Sequence, residues 1–284
     1  MENGQQQSYS IRKFKEKAFL ALVFAAALLA VVPLISLLGF VVYKGIGALN
    51  LDFFLHTPVP VGEKGGGMAN AIVGTLMIVG LGCLFSLPIG LLGGLWLAEW
   101  GKGKRGFLIR YTVDVMSGFP TIIFGMFAYV LFVLTMRRFS ALAGGFALAL
   151  VMLPYITKTT EEMVKMVPRT LKESALALGI PEWKVMLFVV LRTAWSGIFT
   201  GIMLAVARAA GETAPLLFTA FNNQYWNLQL DQPTASMTVQ IYNYAISPFE
   251  EWNRMAWAGS LALVAIILAI TLVVRKYSKR VVYG

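Results

Sequence analysis

Two charged residues, Arg208 and Glu212, stand four positions apart in the stretch AVARAAGETAPLLFTAF, Ala205 to Phe221, where nearly every neighbour is hydrocarbon. Spacing i, i+4 puts both on one side of a helix. A guanidinium is always charged and presents a planar fork of donors suited to an oxyanion. A carboxylate beside it can accept a hydrogen bond only from a ligand that carries a proton. Protonated phosphate carries one at neutral pH and sulfate does not, so such a pair would welcome the first and repel the second. The same spacing also permits self-neutralisation, with the pair merely pinning neighbouring helices. The flanking residues argue for a pathway: Gly211 and Ala210 allow close approach, Thr213 offers a hydroxyl, and Pro215 cannot donate to the helix ladder.

The elements that must hold this pair are membrane helices. Only 13% of the 284 residues are charged and 58% are hydrophobic, with a mean hydropathy of +0.71; soluble domains carry about a quarter charged residues. The expected fold is all-α, with six transmembrane spans at about 18–43, 68–97, 107–136, 140–157, 193–221 and 255–274, each long enough or nearly so to cross about 30 Å of hydrocarbon. Residues 1–17 form a polar, basic tail, and 18–284 a single membrane domain. A charged side chain in mid-membrane costs at least about 2.5–3.5 kcal/mol, so Arg208 and Glu212 should face a bundle interior or a watery path. Arg208 lies about 24 Å along the fifth span from Arg192 at 1.5 Å per residue, in the outer half. Pro120, with Gly118 and Gly125 in SGFPTIIFG, predicts a bent or locally unwound third span. Gly90, Gly93 and Gly94 read as sites of close helix packing.

Net charge of +10 does not mark a nucleic-acid binder, because the basic residues punctuate the ends of apolar segments. With the N-terminus in the cytoplasm, the outer side receives only Lys44, Lys64, Arg137, Arg138 and Arg254, and all the other Lys and Arg except Arg208 fall inside, including Arg275, Lys276, Lys279 and Arg280. That bias puts both termini in the cytoplasm. Arg137 and Arg138 could form an attractive rim for an arriving anion or could snorkel towards headgroups. Asp114, four residues after Arg110, reads as a local ion pair. Trp252 and Trp257 read as interfacial anchors within or beside an outer loop, 222–253. Cys83 has no partner cysteine and His56 sits alone in a polar loop, so no metal site is expected. No cofactor is expected on this chain.

The longest inner connection, Lys158–Arg192, has Pro168 to open a short helix, good helix-forming sequence from Glu173 to Leu178, and Gly179 and Pro181 to stop it. Leu171, Ala175 and Leu178 recur at helical spacing, so one face wants a partner. Here ESALALG resembles the EAA---G loop of the permeases of ABC importers, through Glu173, Ser174, Ala175 and Gly179. The wider consensus goes on to I-x-L-P, where this chain has Val189, Val190, Leu191 and Arg192, without the proline. GETAPLLFT resembles the corresponding segment of the phosphate-specific branch of that family, A-type subunit, and the likeness extends to SGFPTIIFG and SPFEEWNRMAWAG, from about residue 68 onward. The resemblance implies a coupling helix at Glu173–Gly179 resting on a cytoplasmic ATPase, and a substrate pathway at Arg208, Gly211, Glu212 and Thr213. It also implies a second permease of similar fold, two ATPase subunits that use the ATP, an extracytoplasmic phosphate-binding protein, and a bacterial plasma membrane with its lipids. The chain has no GxxxxGK[ST] phosphate loop and would not hydrolyse ATP itself. Import of another oxyanion is the nearer alternative. An ion-coupled secondary transporter is the more distant one, and no inverted repeat supports it.

Overall fold

The computed structural model describes residues 2–63 and 65–280, with side chains described for 12–63 and 65–272. Lys64, counted above with the outer charges, and residues 281–284 lie outside the described residues, as do the side chains of Arg275, Lys276, Lys279 and Arg280. Every regular element among the described residues is helical.

In chain order these are α1, Glu2–Gly45; α2, Leu51–Leu55; α3, Ala69–Glu99; α4, Gly103–Gly118; and α5, Thr121–Met136. Then come α6, Ala141–Lys165; α7, Arg169–Ala177; α8, Glu182–Ala210; α9, Ala214–Leu217; α10, Met237–Ala245; and α11, Glu250–Arg280. Among the described residues, five helices are long and apolar enough to cross a membrane, and α4 with α5, bent by 103° at the break between them, makes a sixth if the pair counts as one span. The break falls at Phe119–Pro120, because proline disfavours helical backbone in the residue before it. The bend expected from Pro120 thus separates two helices, and Tyr129–Val133 of α5 widens into a π segment.

The most extensive helix contact joins α3 to α6. Its basis is small residues: a Cβ on Gly90 would meet Ile156 Cγ2 at 2.7 Å, and one on Gly94 would meet the Thr157 carbonyl at 2.6 Å. Gly93 differs from the expectation. A Cβ there would find Thr157 Cγ2 at 3.8 Å, ordinary contact, so the packing uses two of the three glycines. Among the described residues, helix α1 packs chiefly on α11, with Gly45 under the Trp257 carbonyl and Phe40 edge-on to the Trp257 ring at 5.2 Å. The rest of its apolar length is unburied, as befits a helix bathed in lipid. It begins at Glu2, so the expected tail is helical.

Three further expectations change. The fourth span runs on to Lys165 rather than ending near 157, because its polar last turns find partners on α4. The fifth begins at Glu182 and its helix ends at Ala210, not 221. The loop 222–253 contains α10, whose N-terminus is capped by Ser236 Oγ accepting from Val239 N. Trp252 stacks on Tyr244 at 5.0 Å and packs with the α10–α11 core.

Candidate functional site

Helix α8 closes with Gly211 N donating to Arg208 O at 3.0 Å and Glu212 N to Ala209 O at 3.2 Å. The ladder then lapses until α9, which Pro215 opens in its first turn. Arg208 thus sits in the last turn of α8, where the negative end of the helix dipole favours a cation. Its Nε lies 3.6 Å from Glu212 Oε1, an ion pair too long to be a hydrogen bond. The guanidinium carbon stands 4.7 Å from the centre of the Tyr155 ring on α6, a cation–π contact that orients the fork without consuming its donors. Glu212 is held through its backbone: its carbonyl accepts from Thr238 Oγ1 of α10 at 2.8 Å.

The pair is unequal in exposure. The Arg208 side chain is 46% exposed and that of Glu212 15%. A nearly half-exposed guanidinium in an apolar span cannot face hydrocarbon at small cost, so its open side belongs to water or to a polar partner surface. Gly211 is exposed: a Cβ there would meet Arg208 O at 3.5 Å and little else. The close approach expected at Gly211 is therefore not used within the chain. Thr213 is half-buried and its carbonyl starts α9, accepting from Leu216 N and Leu217 N.

The broken third span reaches this site. A Cβ on Gly125 would lie 2.5 Å from Pro215 Cα, so α5 crosses directly over α9. Tyr155, Thr238 and Gly125 belong to the site by contact, and nothing in their local sequence announced it. Pro154, just before Tyr155, lies inside α6 without ending it. Of the two arginines beyond α5, Arg138 is paired with Asp231 at 2.6 Å, and Arg137 takes a left-handed φ of 53°.

At the opposite end of the bundle, α7 follows Pro168 and ends with Gly179 at φ +75°, where glycine bears no steric cost. Glu173, Ser174 and Gly179 are exposed, whereas Ala175 is buried against the π segment Val185–Val190 of α8. Leu178 is 80% exposed. The apolar face read from Leu171, Ala175 and Leu178 is thus divided, because the helix stops at Ala177 and Leu178 falls beyond its last turn. One cation fastens α7 to the membrane core: Lys172 Nζ lies 2.6 Å from Glu99 Oε2 at the end of α3 and 3.5 Å from Glu182 Oε1. Burial opposes its charge, but Glu99 and then Glu182 outweigh that and hold its pKa above the ordinary lysine value. Beside it, Arg110 donates to Glu161 on α6 at 2.6 Å and to the Leu97 and Gly101 carbonyls that end α3. Asp114 pairs with Lys158 on α6 at 2.6 Å rather than with Arg110; the expected local pair is two bridges between helices.

A bundle of membrane-spanning helices with a broken crossing, a charged pair on an open face and an exposed helix at the far end defines a membrane transport component. The chain belongs to the binding-protein-dependent transport system inner membrane component family, matched over residues 90–283. It is 42% identical to the phosphate transport system permease protein PstA of Haemophilus influenzae, over 98% of both chains. It is 38% identical to the probable phosphate transport system permease protein PstA of Methanocaldococcus jannaschii, over 94% of each. Among solved structures, its fold is similar to a chain of a bacterial alginate ABC transporter in complex with an alginate pentasaccharide-bound periplasmic protein, with a TM-score of 0.59 at 15% identity, covering 90% of this chain and 96% of that one. A chain of the inward-facing MetNI methionine ABC transporter gives 0.58 at 16%, covering 75% and 93%. These two likenesses concern the fold.

Proposed function

We infer that the chain is the permease subunit of an ATP-driven phosphate importer and forms half of its translocation pathway. The observation that carries this reading is the loose Arg208–Glu212 pair, half open to one side, in a chain whose relatives over nearly full length are phosphate permeases. A second permease of similar fold covers the open side. Two cytoplasmic ATPase subunits seat Glu173, Ser174 and Gly179 of α7, with Ala175 anchoring that helix from within. An extracytoplasmic phosphate-binding protein delivers the anion, and both termini lie in the cytoplasm of a bacterial cell.

In this reading Arg208 donates to the anion, Tyr155 keeps the guanidinium in place, and Glu212 accepts a hydrogen bond from the phosphate hydroxyl. Gly211 and Thr213 supply room and a hydroxyl. Arg138, held by Asp231, contributes to the outer rim only when that bridge opens; Arg137 completes the rim. The test is ATP-driven uptake of labelled phosphate and sulfate by the assembled complex in proteoliposomes. Loss of a hydrogen bond to a charged group costs about 1.5–3 kcal/mol, so Arg208→Gln with Glu212→Gln should lower phosphate import by at least about tenfold. Glu212→Gln alone should narrow the preference for phosphate over sulfate. Unchanged import by the double variant would remove the pathway role.

A further inference from the structure

Helix α3 passes into α4 through the glycine-rich turn GKGKRG, Gly101–Gly106. Lys102 N donates to Trp100 O at 2.7 Å, Gly103 takes φ +73°, and a Cβ on Gly106 would collide with the Gly101 carbonyl. The turn is therefore built to one shape, and that shape sets Lys102 across from the start of α7. Between them lies a cleft of about 760 Å³ that Lys102, Arg110, Lys165 and Arg169 line together, with no carboxylate among its lining residues.

The charge in this cleft is only partly compensated. Arg110 and Lys165 share a single carboxylate, the buried Glu161, through the same oxygen. Lys102 and Arg169 make no ion pair among the described residues. Four cations around one concavity, with one anion behind two of them, repel one another unless something negative enters. Arg110 and the Gly103 and Gly106 geometry fix the backbone of the walls, so the cations relieve their repulsion by swinging side chains into water or by taking up an anion.

The position of the cleft says what enters. Trp100, the residue before the turn, is 46% exposed, and Phe107 and Leu108 just beyond it are 69% and 62% exposed. Amphipathic rings of this kind sit at the headgroup level of a bilayer, with exposed apolar side chains beside the acyl chains. The cleft therefore opens where a lipid's phosphate lies rather than in bulk water. Given the orientation inferred above, it faces the cytoplasmic leaflet, whose anionic headgroups are drawn to basic pockets between helices. We propose that the Lys102–Arg169 cleft binds the phosphate group of an anionic phospholipid, and so ties the α3–α4 turn and the root of the α7 helix to the membrane surface.

Native mass spectrometry of the full chain, released from mixed micelles of phosphatidylglycerol and phosphatidylcholine, reads this directly and requires no transport, so its failure is separable from failure of the importer reading. Phosphatidylglycerol should be retained in preference to phosphatidylcholine, and Lys102→Gln with Arg169→Gln should weaken retention about fivefold for each cation removed. Lys102→Arg with Arg169→Lys keeps the charge and should restore it, which separates loss of charge from loss of fold. Equal retention by the wild type and the glutamine pair overturns the proposal. So does an equal loss in Lys104→Gln with Arg105→Gln, which would reduce the cleft to a diffuse basic surface. Displacement of the lipid by millimolar inorganic phosphate would assign the cleft to a free anion and overturn the lipid assignment.

Discussion

Replacing Lys172 by Met removes the charge that fastens α7 to α3 while keeping most of the side chain's length. Lys172 and Glu99 are 22% and 20% exposed, and their charged atoms are 2.6 Å apart. An exposed pair contributes about 0.2–1 kcal/mol, and breaking a fully buried one costs about 3–5 kcal/mol. Glu99 regains some water when its partner leaves, and Ala175 still packs on α8, so the cost falls near the low middle, about 1–2 kcal/mol. That is roughly a 5- to 30-fold shift in local opening. Hydrogen exchange of the Arg169–Ala177 amides should quicken by this factor while the centre of α6 stays protected. In the assembled complex, phosphate moved per ATP hydrolysed should fall, because a loosened helix transmits less of the ATPase motion. The charge exchange Lys172→Glu with Glu99→Lys should recover much of both. Exchange rates unchanged in Lys172→Met, or a charge exchange no better than the single variants, would refute the latch. Its pH dependence carries a definite sign. The folded pKa of Lys172 is raised above 10.5, so its contribution is complete below that value and is lost as pH rises through the folded pKa. Protection of α7 should therefore not decline through lysine deprotonation between about pH 7 and about pH 10.

Gly94→Ala should destabilise the protein by about 1–3 kcal/mol, since its new methyl would meet the fixed Thr157 carbonyl; Gly93→Ala, with room at 3.8 Å, should not. Thermal unfolding in detergent compares the two. Tyr155→Phe keeps the ring beneath Arg208 and should retain import, whereas Tyr155→Leu forfeits a contact of about 0.5–2 kcal/mol and should raise the phosphate concentration for half-maximal uptake several-fold. Gly125→Val should impair import out of proportion to expression, because it drives α5 off Pro215; the ratio of uptake to folded protein in the membrane measures this. Ser236→Ala should cost about 1 kcal/mol through the lost cap of α10, read in the same unfolding assay.

Composition and the lengths of the apolar runs were enough for a helical membrane protein, since a bilayer admits only backbone that satisfies its own hydrogen bonds. The short-range signals also held. Pro120 breaks the third span, Gly179 ends α7 in a left-handed turn, and Arg208 and Glu212 share one side of a helix end. Each of these is a local consequence of backbone chemistry within a few residues. Partner choice was not legible. Arg110 and Asp114 looked like a pair at i, i+4, yet each reaches across to α6, where Glu161 and Lys158 offer better placed charges.

What the chain's order of residues determined by itself is therefore the helical, membrane-spanning class and the places where proline and glycine break or end a helix. Tertiary packing alone decided which distant residues meet: Tyr155 beneath Arg208, Gly125 over Pro215, Lys172 on Glu99, and four cations around one cleft. The physical reason is range. Helix propensity, proline and glycine act along a few consecutive residues, whereas a charge in a medium of low polarity is settled by whichever opposite group, ring or dipole the packed helices bring near it.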